Sequence, residues 1–115
     1  MKHLSEIRLD PAERKAIRAF TRRLKKALGK RLISVLLFGS KARGDDKKNS
    51  DIDIYVLVRR DSQLVDKRIA RVTGDILNDY DILISPVSYD LREERINVRM
   101  GSFFFEAVKT EGIPL

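Results

Sequence analysis

Two apolar runs, Leu32–Phe38 and Ile52–Val58, are joined by a segment that opens with Gly39-Ser40 and closes with Asp51-x-Asp53, with ten residues between Ser40 and Asp51. Apolar, β-branched runs of this length, with glycine at the boundary, read as buried strands. Gly-Ser after the first run predicts a turn into a short helix over Ser40–Arg43. Such a turn exposes backbone N–H groups and a hydroxyl, which suit a phosphate. Asp51 and Asp53 enter the second strand two residues apart, so they point to one face, roughly 6–7 Å apart along it. Mg²⁺ is commonly held by one or two carboxylates plus substrate phosphates. The segment therefore offers a phosphate cradle and a metal grip, and its charged middle, Asp45-Asp46-Lys47-Lys48, reads as a loop with no chemical role.

The rest of the chain supplies elements to pack against these two strands. Asp10-Pro11-Ala12-Glu13 is a helix start, with Asp10 as N-cap and Glu13 completing a capping box. Ile17, Phe20, Leu24 and Leu28 follow at helical spacing and Gly29 ends the helix. Its other face carries Arg14, Lys15, Arg18, Arg22, Lys25 and Lys26, a solvated face. Asp61 is expected to cap a second long helix carrying Ile69, Val72 and Ile76, followed by a third strand over 80–87 stopped near Pro86. Asp90 caps a charged segment, and Ser102 caps a last short helix ended by Gly112. Alternation of helices and strands makes a small α/β sheet with helices packed on it. Phe103, Phe104 and Phe105 read as core.

Composition narrows the possibilities. A chain of 115 residues with 43% hydrophobic residues suits one domain, 1–115, with one core, and leaves no room for a second substrate-binding domain. There is no cysteine, which excludes disulfides and thiolate metal sites. His3 is the only histidine, so a Ser/His/Asp triad or a histidine-rich metal site is not expected. The N-terminus lacks the apolar region of a signal peptide, and no apolar stretch approaches a membrane span, so a soluble cytoplasmic protein is expected. The net charge of +7 suits a nucleotide as well as nucleic acid, but without aromatic interleaving direct nucleic-acid binding is not expected.

The Gly39-Ser40, ten-residue, Asp51-x-Asp53 spacing resembles the signature of the minimal nucleotidyltransferases, a group within the DNA polymerase β-like superfamily. Ala42-Arg43-Gly44 and Ser50-Asp51-Ile52-Asp53 match the family's accompanying residues, so about eight specified positions coincide at fixed spacing. Similarity extends to Tyr80-Asp81-Ile82-Leu83, which looks like the family's third-carboxylate strand, and to the closing Phe104–Val108 segment with Glu111-Gly112. The resemblance implies a mixed sheet with helices on it, and an active site along one edge of the sheet.

It also implies nucleotidyl transfer, an in-line displacement at the α-phosphorus of a nucleoside triphosphate. Two Mg²⁺ ions can stabilise the attacking and leaving oxygens of such a reaction together, and they need several carboxylates on one face. Asp51 and Asp53 are expected as metal ligands and catalytic residues. Asp81 is preferred over Asp79 as the third. Gly39 lets the backbone approach a phosphate, Ser40 donates to the β/γ-phosphates or serves only as N-cap, and Arg43 clamps the triphosphate, with Lys41 as second choice. Tyr55, Tyr80 and Tyr89 are candidate self-modification acceptors.

Stand-alone members of the family pair with small all-helical HEPN ribonuclease toxins. The resemblance therefore implies transfer of AMP from ATP to a tyrosine of a HEPN partner, an antitoxin role. Two other readings stand beside it. One is an antitoxin acting by contact alone. The other is transfer to a small molecule or an RNA end, with a homodimer supplying the missing wall.

Overall fold

The computed structural model describes residues 2–44 and 51–115. Helix α1 (Pro11–Leu28) starts at the expected place: the Asp10 Oδ1 accepts from the Ala12 N–H at 2.9 Å, and the Asp10 N–H donates to Glu13 Oε1 at 3.3 Å. It leads through a 3-10 turn, Gly29–Arg31, into β1 (Leu32–Phe38). A single-turn helix, α2 (Ser40–Arg43), follows directly. Then come β2 (Ile52–Val58), α3 (Gln63–Tyr80), β3 (Ile84–Asp90), α4 (Leu91–Arg99), α5 (Phe103–Glu111) and the two-residue β4 (Ile113–Pro114).

The strands form one four-stranded mixed sheet in the order β3-β2-β1-β4. β1 runs antiparallel to β2 and β4, while β2 and β3 are parallel. Strand alternation divides the sheet's side chains between two cores. On one face Val35, Leu37, Ile52, Ile54, Val56, Val58 and Ile84 pack with Ile17, Phe20, Leu24 and Leu28 of α1 and with Val65, Ile69, Val72 and Ile76 of α3. On the other face Leu36, Phe38, Tyr55, Leu57 and Tyr89 pack with Phe104, Phe105 and Val108 of α5 and Leu91 of α4. Asp53 belongs by alternation to this second face, in line with Tyr55 and Leu57.

Several expectations are corrected. Ser62, not Asp61, caps α3: its Oγ accepts from the Val65 N–H at 3.2 Å. Asp61 instead donates its backbone N–H to Asp90 Oδ2 at 3.1 Å. The third strand begins at Ile84, not at residue 80. The apolar stripe of α3 continues to Tyr80, and Asp81, at φ 55°, closes the helix in the left-handed region that aspartate tolerates. The strand also runs through Pro86 rather than stopping there, because β3 lies at the edge of the sheet, where a missing N–H can be accommodated. β4 was not foreseen; two residues give no alternation to read. Phe105 is buried and Phe104 half-buried, but Phe103 is 86% exposed and is not core. Ser102 stands at the N-cap of α5 without a side-chain bond.

The basic face of α1 is also less uniform than expected. Arg14 donates to the carbonyls of Leu4 and Ile7, both at 2.8 Å, and so pins the chain ahead of α1.

Glu13 joins the start of α1 to α2. While Glu13 Oε1 accepts from the Asp10 N–H, its Oε2 pairs with Lys41 Nζ at 2.8 Å. The Lys41 side chain is only 4% exposed. A buried ammonium left without a carboxylate is costly, as is a carboxylate left without its cation. Lys41→Ala is therefore expected to lower unfolding stability by about 2–3 kcal/mol. Adding Glu13→Gln to that variant should cost less than the two single losses summed. Urea denaturation of the four proteins measures the coupling, and full additivity would mean that the pair does not hold α2 against α1.

Candidate functional site

The site is built where β1 ends and β2 begins. The antiparallel ladder places Phe38 opposite Asp53, so the turn that follows Phe38 folds over the Asp53 carboxylate. Gly39 makes this possible. Its φ of 78° lies in a region that side chains disfavour, and a Cβ there would meet Asp53 Oδ2 at 2.5 Å. Gly39 is thus fixed both by backbone conformation and by the approach of an acid to the main chain.

Helix α2 is seated by its inward residues. Ala42 and Lys41 are buried, which leaves Ser40 half-buried and Arg43 on the exposed side. The N-cap of α2 is Gly39 and makes no side-chain bond, so Ser40 is the first helical residue and not the cap. Its hydroxyl is engaged by no described residue. Lys41, the second choice for a triphosphate contact, is committed to Glu13. Arg43 Nη1 lies 3.2 Å from Glu111 Oε2 at the end of α5. Arg43, Glu111, Lys2, Lys109 and Thr110 line a cavity of about 500 Å³ beside α2.

Asp51 and Asp53 are brought together. The Asp53 carboxyl is held above the usual carboxylate range, first by burial and then by the negative charge of Asp51, while Arg43 acts in the opposite sense. An acid pushed upward by burial and a like charge is one that a divalent cation would stabilise. The donor set, two hard carboxylates on one face, fits Mg²⁺. One wall of the neighbourhood is aromatic: Phe38 meets the edge of Phe104 at 5.5 Å, and Tyr55 lies 6.4 Å from Phe104.

Asp81 is not drawn into this pair. It is exposed, sits in the left-handed turn that ends α3, and is not among the groups that perturb Asp53. Asp79 is on α3 and pairs with Arg23 at 2.8 Å. Among the described residues no cluster of three or more His, Cys, Asp or Glu side chains is placed to hold a metal. Asp45, Asp46, Lys47 and Lys48, together with Ser50, lie outside the described residues.

Of the tyrosines considered as self-modification acceptors, Tyr55 is 1% exposed and donates its hydroxyl to Glu94 Oε2 at 2.6 Å. Burial and that carboxylate together push its phenol upward, so it is a poor nucleophile. Tyr80 and Tyr89 are half-buried, and the Arg23 guanidinium stands 5.7 Å from the Tyr80 ring centre. Sequence reasoning gave no role to Glu111 or to Ser85. Glu111 reaches Arg43 only through the packing of α5. Ser85 reaches the neighbourhood of Asp53 only through the β2–β3 register, which places the two opposite each other. Neither relation leaves a mark in residue spacing.

Residues 17–108 match the family model of the nucleotidyltransferase domain. A protein of Methanocaldococcus jannaschii, provisionally named protein adenylyltransferase MJ0141, is 39% identical over 74 residues, covering 64% of this chain and 75% of that one. A second from the same organism, MJ0604, with the same provisional naming, is 33% identical over 100 residues, covering 87% and 94%. A solved structure provisionally described as a minimal nucleotidyltransferase superposes with a TM-score of 0.59 at 27% identity, over 90% of this chain and 95% of that one. The fold is shared as well with a toxin–antitoxin crystallised with AMP-PNP, at a TM-score of 0.55 and 24% identity, over 83% of this chain and 68% of that one. By sequence and by fold, this chain belongs to the nucleotidyltransferase domain family and is one of its minimal nucleotidyltransferases.

Proposed function

We propose that this nucleotidyltransferase moves AMP from ATP·Mg²⁺ to a tyrosine hydroxyl of a partner protein, a small all-helical HEPN-type ribonuclease toxin, and so acts as its antitoxin. The observation that carries the reading is the acid pair at the Gly39 turn: a carboxylate pressed against glycine backbone, coupled to a second acid, with a guanidinium in range. A pair of acids held in this way is suited to a cation and its polyphosphate. The provisional naming of two relatives as protein adenylyltransferases supports AMP as the transferred group and a protein as the acceptor. The toxin–antitoxin crystallised with AMP-PNP supports an adenine nucleotide as substrate and a toxin as partner.

The acceptor hydroxyl forms a bond to the α-phosphorus, the bond to the bridging oxygen of the β-phosphate breaks, and pyrophosphate leaves. The hydroxyl proton passes to solvent or to a neighbouring base. Asp51 and Asp53 would hold Mg²⁺, which when bound offsets the charge of the triphosphate. Gly39 gives the phosphates access to the main chain. The Ser40 hydroxyl donates to a phosphate oxygen. Arg43 exchanges Glu111 for the triphosphate, a charge-assisted contact in either case. Transfer gains from this positioning, since little of the chemistry requires a covalent contribution from the protein.

Purified chain, radiolabelled ATP and Mg²⁺, with and without the protein encoded by the adjacent gene, test the reading. Label on a tyrosine of the partner is expected. Label on RNA or on a small molecule would replace the acceptor assignment, and a tight complex with no label would replace catalysis by contact.

Asp53→Asn is expected to abolish transfer. It is also expected to raise the melting temperature in metal-free buffer, because it removes a partly buried charge lying beside another of the same sign. Added Mg²⁺ should then stabilise the wild type and leave the variant unchanged. Calorimetry with and without Mg²⁺ measures both effects; a variant that melts lower than wild type in metal-free buffer would contradict the electrostatic account. Ser40→Ala should weaken ATP·Mg²⁺ binding by about 1.5–3 kcal/mol, the worth of a hydrogen bond to a charged oxygen. Because the hydroxyl caps nothing, its melting temperature should stay near that of the wild type. Isothermal titration with ATP·Mg²⁺ reads the first effect and thermal melting the second.

A further inference from the structure

We propose that this chain binds a single divalent cation before nucleotide arrives, because Ser85 occupies the position where a third carboxylate would complete a paired-ion site. The proposal rests on the reading that Asp51 and Asp53 hold the cation. It deepens that reading by fixing what stands beside them.

The argument comes from the β2–β3 ladder. The strands run parallel, with Ile52 opposite Ile84 and Asp53 opposite Ser85. Paired residues in neighbouring strands project from the same face, so Ser85 shares the face of Asp53. The register is secured by burial: Ile52 is 2% exposed and Ile84 1%, both on the opposite face. A slip of one residue would turn that apolar set outward. Ser85 is not an acid, and neither is Leu83, which precedes the strand and is 58% exposed.

The acids nearest in sequence are placed elsewhere. Asp81 lies before the ladder begins and has the left-handed conformation that ends α3. To draw it forward, β3 would have to slide along β2. Pairing along the whole strand, from Ile84 to Asp90, opposes this, and so does the capping box in which Asp90 Oδ1 accepts from the Glu93 N–H at 2.8 Å. Asp79 lies on α3, paired with Arg23 of α1.

Ser85 is half-buried, and no described residue takes its hydroxyl. A neutral hydroxyl can accept from a cation's water or donate to a phosphate oxygen. It does not add the negative charge that a second hard cation needs from the protein. The second ion of a pair would then be brought by the nucleotide, held mainly by triphosphate oxygens.

The probe is Mn²⁺ without nucleotide, with free ion followed by electron paramagnetic resonance during titration of the wild type, Asp53→Asn, Ser85→Asp and Asp81→Asn. One ion per chain is expected for the wild type, and its loss in Asp53→Asn. Ser85→Asp should tighten binding roughly ten-fold or add a second ion, as an extra anionic ligand does. Asp81→Asn should bind within about two-fold of the wild type, since no ligand has been removed. Two ions on the wild type overturn the proposal. So does a loss in Asp81→Asn equal to that in Asp53→Asn, or a Ser85→Asp protein that is folded by circular dichroism yet binds no better. If Ser85→Asp does not fold, the wild-type stoichiometry and Asp81→Asn still decide. A wild type that binds no Mn²⁺ counts against Asp51 and Asp53 as cation ligands and removes this proposal with that reading.

Discussion

The backbone of Gly39 lies against the Asp53 carboxylate with no room for a methyl group between them. Three features of the molecule meet at that contact. The β1–β2 register sets Phe38 opposite Asp53 and so brings the turn over the acid. The turn must then bend sharply into α2, which glycine allows. α2 in turn needs a seat, and the Lys41–Glu13 pair ties it to the first turn of α1. Lengthening the contact by one carbon would disturb the sheet, the turn or the carboxylate. The apolar face of the sheet, filled by α1 and α3, gives the rigidity against which this closeness is held.

The pattern of charge around the acids follows from the same geometry. Asp53 is partly removed from water and lies near Asp51, which raises the free energy of its charged form. Arg43 relieves some of this, yet Arg43 also contacts Glu111. The arrangement therefore has one cation shared between an acid of the site and an acid of the last helix. A polyphosphate entering the neighbourhood would compete with Glu111 for Arg43. A divalent cation would take over from Arg43 beside Asp53. Two exchanges would thus accompany nucleotide binding, and each would release an acid from Arg43.

Much of this was legible in the sequence because it was local. The capping box at Asp10, the two strands either side of the turn, and the identity of the helix after Gly39 are all set by neighbours a few residues away. The same holds for the Asp90 cap of α4. What spacing could not show was relational. Whether Asp81 begins a strand or ends a helix depends on how far the apolar stripe of α3 is used, and Tyr80 extends it one turn beyond Ile76. Ser85 lies beside Asp53 only because two distant strands pair in one register. The commitment of Lys41 to Glu13 required knowing that the first turn of α1 lies beside α2. β4 consists of two residues stabilised by the partners they find on β1. In each case tertiary packing, not local preference, chose the outcome.

The two outermost strands of the sheet share a property that bears on assembly. β3 carries Pro86 and β4 carries Pro114, and the sheet order places these strands at its two margins. A margin that lacks an N–H at one of its positions is a poor template for an incoming strand. β4 offers only two residues in any case. Growth of the sheet by borrowing a strand from another chain is therefore discouraged along β3 and at the two residues that β4 covers. At those two strands, side chains rather than backbone hydrogen bonds are left as the means of contact with another chain.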